Sequence, residues 1–132
     1  MQGAPLEVNG VRVFEVPSQG PELRTGRDAV DIIGAAFEQR AGFILIPAER
    51  FGDDFFDLST QVAGEIVQKF STYDRRVAIL GDIRQRVAQS KSLAAFVYEA
   101  NRGDRLWFVE TIDELKQRLD DQRFRALGRR VE

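Results

Sequence analysis

The spacing of apolar positions changes period several times along the chain, and each change predicts an element. LEVNGVRVFEV (6–16) alternates on both sides of Asn9-Gly10, the pair that best tolerates the positive φ angles of a two-residue turn, and so predicts a β-hairpin. PSQGPELRTG (17–26) is a Pro/Gly loop, after which Thr25 and Asp28 have capping-box spacing. The helix they open, about 26 to 40, is expected to bury Val30, Ile33 and Phe37. GFILIP (42–47) and RRVAILGD (75–82) contain short continuous apolar runs, the pattern of strands covered on both faces.

Between those strands lie an acidic loop and FFDLSTQVAGEIVQKF (55–70), a helix from the Asp57-Ser59 region to about Phe70. A short helix near 83–89 and a longer one near 92–101 follow, with Ser90 and Ser92 as candidate caps. The longer helix sets Leu93, Phe96, Val97 and Ala100 on one face, and Gly103 supplies the left-handed residue that stops it. RLWFV (105–109) is the last strand, and Thr111 to Glu114 forms a capping box before a helix with Ile112, Leu115 and Leu119. Strands alternating with helices predict a small α/β sandwich: a mainly parallel sheet, an N-terminal hairpin and helices packed against it. The expected organisation is one domain over 1–120 and a basic tail over 121–132.

Composition narrows the chemistry. Cys and His are both absent from the 132 residues, which removes disulfides, the usual zinc and haem ligands, and a Ser-His-Asp triad. The expected cofactor set is therefore none, with a hard, oxygen-ligated cation as the one metal class left open. A net charge of −2 gives no electrostatic footprint for general nucleic-acid binding. Arg123, Arg125, Arg129 and Arg130 make the end of the chain locally basic, as a frayed terminus or a helical extension. There is no apolar run of membrane-spanning length and no signal-peptide order in the first twenty residues, so the expected location is the cytoplasm.

Four clusters are candidates for function. At Asp57-Leu58-Ser59-Thr60, Ser59 reads as a helix N-cap, with a phosphorylation switch as the alternative because a phosphate there meets a helix N-terminus. Glu65 and Lys69 read as a surface ion pair on a polar face with Gln61 and Gln68. Gly64 in that helix invites a packing explanation, which makes the same face a candidate surface for another protein or a second copy. Glu99, Asn101 and Arg102 gather at one helix end, as a C-cap with an ion pair or as a holder of a small anion. Asp53, Asp54, Asp57 and Asp82 are either a solvated acidic edge or a cation site.

The order Phe55-Phe56-Asp57-Leu58, Ala63-Gly64-Glu65, Gln68-Lys69-Phe70, Gly81-Asp82 and Asn101-Arg102-Gly103 resembles the bacterial family known as domain of unknown function 4180 over about 95 residues. A more distant likeness is to the STAS fold of anti-sigma-factor antagonists, whose first major helix opens with Asp-Ser-Ser-Gly and is phosphorylated on the second Ser. Asp57 matches that Asp and Ser59 that Ser, while Leu58 and Thr60 replace the other two residues. The helix over 26–40 also comes before the strand that carries the motif. The resemblance implies a regulatory or protein-interaction module without catalysis. A small anionic-ligand or nucleotide site at the strand ends, using Pro47, Asp82 and Glu110 with Arg102, is the alternative, and a carboxylate metal hydrolase around Asp54, Asp57 and Asp82 the third reading.

Overall fold

A computed structural model describes the backbone of residues 3–131 and the side chains of 3–122. β1 (Ala4–Val8) and β2 (Val11–Glu15) form the antiparallel hairpin, with Val8 opposite Val11. Asn9 and Gly10 turn it with φ of 50° and 82°, the two positive angles that a two-residue turn needs. α1 (Gly26–Glu38) leads into β3 (Phe43–Pro47). A 3-10 turn (Ala48–Arg50), the one-turn helix α2 (Asp53–Phe56) and a second 3-10 turn (Leu58–Thr60) then precede α3 (Val62–Thr72). The remainder runs β4 (Arg76–Leu80), α4 (Arg84–Ala88), α5 (Lys91–Arg102), β5 (Leu106–Val109) and α6 (Ile112–Val131). α6 continues through the segment read as a basic tail, and the side chains of Arg123, Arg125, Arg129 and Arg130 lie outside the described ones.

The sheet order is β1-β2-β3-β4-β5, and β2 to β5 are all parallel. The expected α/β fold is therefore present, a mixed sheet whose only antiparallel pair among the described residues is the hairpin. Parallel neighbours joined in sequence need crossovers of one hand, which brings the crossover helices to one face. The core divides accordingly. Ile32, Ile33 and Ala36 of α1, Ile66 and Phe70 of α3 and Leu93 of α5 pack on Phe14, Ile44, Val77 and Phe108. Leu115 and Leu119 of α6 pack on Val13, Phe43, Leu45, Ala78 and Trp107 on the other face. Residues 43–46 of β3 are at most 2% exposed, which is why that strand reads as an unbroken apolar run.

Three local expectations fail for reasons of packing. α1 buries Ala29, Ile32, Ile33 and Ala36, not the Val30-Ile33-Phe37 stripe; Phe37 is 68% exposed and Val30 half-buried. The two stripes share Ile33 and differ by about one residue of rotation, and the alanines let the helix lie closer to its neighbours. Gly103 is not left-handed: its φ is −89°, and its carbonyl accepts a hydrogen bond from the Trp107 indole N–H at 2.8 Å. The segment read as an acidic loop contains α2, whose Phe55 and Phe56 both point into the core. Among the described residues, no helix is long and apolar enough to cross a membrane.

Candidate functional site

The segment between β3 and α3 is anchored by aromatic rings. Phe55 stacks on Phe51 with centroids 4.0 Å apart, and Phe56 meets Phe55 edge-on at 5.1 Å. These rings leave the following polar residues at the surface. Asp57 Oδ1 accepts from the backbone N–H of Ser59 at 3.1 Å and from its hydroxyl at 2.6 Å. The Thr60 hydroxyl donates to the carbonyls of Asp54 and Asp57 (2.6 and 2.8 Å) and accepts from the Val62 N–H at 3.3 Å.

Ser59 is therefore not the N-cap of α3. The helix begins at Val62, after Gln61, which is left-handed with φ of 68° and makes no side-chain cap bond. Asp57 instead caps the 3-10 turn that holds Ser59, because a short acidic side chain reaches the N–H two residues on more readily than a distant helix end. Of the two caps expected at Ser90 and Ser92, Ser90 is the N-cap of α5, accepting from the Leu93 N–H at 3.1 Å. Ser92 instead contacts the Ser90 hydroxyl at 3.3 Å.

Glu65 also has a different partner from the one its spacing suggests. Its Oε1 accepts from the backbone N–H of Gly26 at 2.8 Å, placing a carboxylate against the N-terminal turn of α1. A Cβ on Gly26 would stand 3.0 Å from both Glu65 Oε1 and Lys69 Cε, so this glycine allows α1 and α3 their close approach. A glycine just after the cap, where no turn requires one, was the available sequence signal. Gly64 and Gln68 remain exposed, and no atom lies within 4 Å of a Cβ built on Gly64. The packing reason for Gly64 is therefore not inside this chain. Gly64→Ala, in the first turn of α3, is expected to raise the unfolding free energy by up to about 0.5 kcal/mol in the isolated protein, at the low end of the helix-interior difference, read from denaturant midpoints. A loss of stability would overturn that assignment of free space.

At the carboxyl ends of the strands, Arg84 grips Asp82 with two side-chain hydrogen bonds (2.9 and 2.8 Å), and its Nε lies 3.4 Å from Glu110. The Arg84 bonds hold the Asp82 carboxyl at a pKa of about 2, and Asp82 in return raises that of Arg84. The folded value of Asp82 is the lower one, so the fork favours the fold above about pH 4 and its contribution disappears as pH falls toward 2. Both groups are solvent-exposed, which keeps the effect modest. The difference in melting midpoint between wild type and Asp82→Asn should shrink over that window. A difference that stays constant across it would contradict the assignment.

The carboxylates that suggested a cation site are dispersed among other partners. Asp53 pairs with Arg86 at 2.9 Å, and Asp57 and Asp82 are held as described. Among the described residues, no group of three or more acidic side chains is placed to hold a metal ion.

Asn101 serves the sheet. Its Oδ1 accepts from the Phe108 N–H at 2.8 Å, closing a backbone donor on the outer edge of β5, and its carbonyl accepts from Arg118 at 3.1 Å. Arg102 pairs with Glu99 at 3.5 Å, as the spacing implies, and lies over the Tyr98 ring.

Two arginines that the sequence did not flag are tied into the packing, one buried and one half-buried. Arg50, 5% exposed, donates to the carbonyls of Pro17 and Pro21. Arg76 lies over the adjoining rings of Phe43 and Trp107, 5.1 Å from each centroid, and partial burial lowers its pKa. Neither carried a sequence signal, because an isolated arginine in a loop or at a strand start reads as solvated.

Two concavities flank β5. The first, about 360 Å³, opens at the carboxyl ends of β4 and β5 and is lined by Ile83, Val87, Val97 and Phe108 with Arg84, Glu110 and Glu114. The second, about 430 Å³, lies between the end of α5 and α6 and includes Arg102, Arg118, Glu114 and Asp121. Arg102 thus lines the groove beside α6 and not the strand-end cavity.

A family profile described as "Domain of unknown function (DUF4180)" matches residues 8–119. No curated protein and no solved structure matches the chain.

Proposed function

The chain belongs to the DUF4180 family, and from that premise we propose that it is a non-catalytic protein-interaction domain of the cytoplasm, docking another protein or a second copy on the outer sides of α1 and α3. The observation that carries this reading is a pair of exposed helical glycines, Gly34 in the body of α1 and Gly64 in the first turn of α3, with nothing outside the local helix backbone within 4 Å of a Cβ at either. Gly34 costs about 1 kcal/mol relative to alanine and Gly64, in a first turn, a smaller amount, with no return inside the described chain, whereas a partner backbone lying close against two neighbouring helices gives both a use. Phe37, 68% exposed on α1, adds apolar area to the same helix. The polar groups that resembled chemistry are occupied in holding turns, helix ends and a strand edge, which supports a binding role over a hydrolytic one.

Ser59 supplies the regulatory part of the proposal, in keeping with the STAS likeness. Its exposed hydroxyl is 2.6 Å from Asp57 Oδ1, so a phosphoryl group on it breaks that bond and sets two anions against each other at the start of the helix pair. The test uses Gly34→Arg and Gly64→Arg in quantitative affinity capture, with sedimentation equilibrium to read self-association. Both variants should keep the wild-type melting midpoint within a few degrees, since arginine is a good helix former with open space around it. The proposal expects them to lose the protein that wild type captures, or to lose self-association. Unchanged capture and unchanged mass in both variants would sink it.

A further inference from the structure

The cavity at the carboxyl ends of β4 and β5 has a size, a lining and a charge that together specify a ligand class. We propose that it binds a small, ring-bearing organic cation of arylalkylamine type. This inference does not depend on the docking surface of α1 and α3, which lies on other elements.

The position is the one where parallel sheets leave a crevice, because the strands end there and the chain departs toward separate helices. Its volume of about 360 Å³ falls at the small end of the range for organic-ligand sites and fits one ring with a short chain. The floor is apolar: Ile83 and Val87 come from the segment after β4, Val97 from α5 and Phe108 from β5. Phe108 is fixed edge-on against Phe96 at 5.9 Å, and Asn101 holds its backbone N–H, so the aromatic wall is preorganised. A flat ring fits such a wall better than a branched aliphatic group does.

The sign of the ligand follows from the mouth. Arg84 is the one cationic residue of the lining, and it is already held by Asp82 through two hydrogen bonds and approached by Glu110. Its charge is therefore neutralised before any ligand arrives. Glu110 and Glu114 remain at the same mouth, and Glu114 accepts from the Glu110 N–H at 2.9 Å. Arg118 pairs with Glu114 at 3.9 Å while also donating to the Asn101 carbonyl and lying over the Trp107 ring, so the carboxylates of Asp82, Glu110 and Glu114 still outnumber the guanidiniums of Arg84 and Arg118. Arg102, the residue that would have favoured an anion, stands outside this cavity with Glu99 as its partner. A cation is attracted to this mouth and a carboxylate or phosphate is repelled.

The experiment titrates the full-length protein, followed by amide NMR, with phenethylamine, 2-phenylethanol and phenylacetate, which share a ring and differ in charge. Phenethylamine is expected to shift the amides of Gly81, Ile83, Val97 and Phe108 with a Kd on the order of 1 mM, as suits a ligand of so few atoms. 2-Phenylethanol should bind about fivefold more weakly at low salt, and phenylacetate more weakly still. The paired Glu110→Gln, Glu114→Gln variant should remove the difference between amine and alcohol, and an amide at Glu114 can still accept from the Glu110 N–H. Val97→Phe should abolish all three interactions by filling the floor, and the paired variant decides the question if Val97→Phe does not fold. Phenylacetate binding as well as the amine, shifts centred elsewhere, or no shifts at about 10 mM amine would each overturn the assignment.

Discussion

Phe55→Ala should lower the unfolding free energy by about 4 kcal/mol and the melting midpoint by roughly 15 °C. Phe55 is 1% exposed and lies between the rings of Phe51 and Phe56 at centroid distances of 4.0 and 5.1 Å. Its removal takes away the transfer free energy of a buried ring and leaves a void that two other rings on the same short segment cannot both fill. A domain of this size has about 5 to 15 kcal/mol in all, so the loss takes roughly a quarter or more of the total. The polar half of the same segment behaves differently. Ser59→Ala removes an exposed hydroxyl and should cost about 0.5 kcal/mol or less, because Asp57 still accepts from the Ser59 N–H. Equal losses in the two variants, measured by urea titration, would refute the view that the aromatic anchor, and not the serine, holds this segment.

Arg50→Met is the second large effect, at about 2 to 3 kcal/mol. The Arg50 guanidinium donates to the Pro17 carbonyl at 2.8 Å and to that of Pro21 at 3.1 and 3.2 Å, with no carboxylate paired to it among the described residues. Prolines lack an N–H, and their loop uses this side chain to satisfy its carbonyls. The Leu23 N–H also donates to the Arg50 carbonyl at 2.8 Å, so one residue ties the segment after β2 to the turn after β3 by both side chain and backbone. Hydrogen bonds from a charged donor are worth about 1.5 to 3 kcal/mol each, but releasing the guanidinium from burial returns part of that, hence the smaller net figure. Arg50→Lys should recover little, since an ammonium cannot present the same planar fork to two carbonyls. A loss below about 1 kcal/mol for Arg50→Met in the same titration would remove Arg50 as the tie between the two loops.

Asn9-Gly10, the Thr25-Asp28 box, Ser90 and the unbroken apolar run before Pro47 were all legible, because each is decided within about four residues by backbone sterics or by the nearest orphan N–H. Alternation of such elements then fixed the fold class. Even the Thr111-Glu114 box differs only in detail: Glu114 accepts its return bond from the Glu110 N–H.

The candidate site was less legible. Ser59 has the composition of a helix cap, yet Asp57 and Thr60 take the local bonds and Gln61 turns left-handed, so the choice among three capping residues depended on where the phenylalanine anchor placed the chain. Glu65 has the spacing of a Lys69 pair, but its acceptor is used by Gly26, 39 residues away. Asn101 looked like a ligand residue and closes a strand edge seven residues later.

The sequence alone determined the strands and the longer helices, their order and the mixed, mainly parallel sheet, since periodicity and capping are short-range and the hand of the crossovers is set by backbone chirality. Tertiary structure alone decided which polar side chains were spent on other elements, that Gly34 and Gly64 face open space, and that Glu110 and Glu114 share the strand-end cavity with an Arg84 already held by Asp82. Those outcomes depend on contacts between segments far apart in the chain, whose pairing is settled only when the sheet brings them to one face or one end.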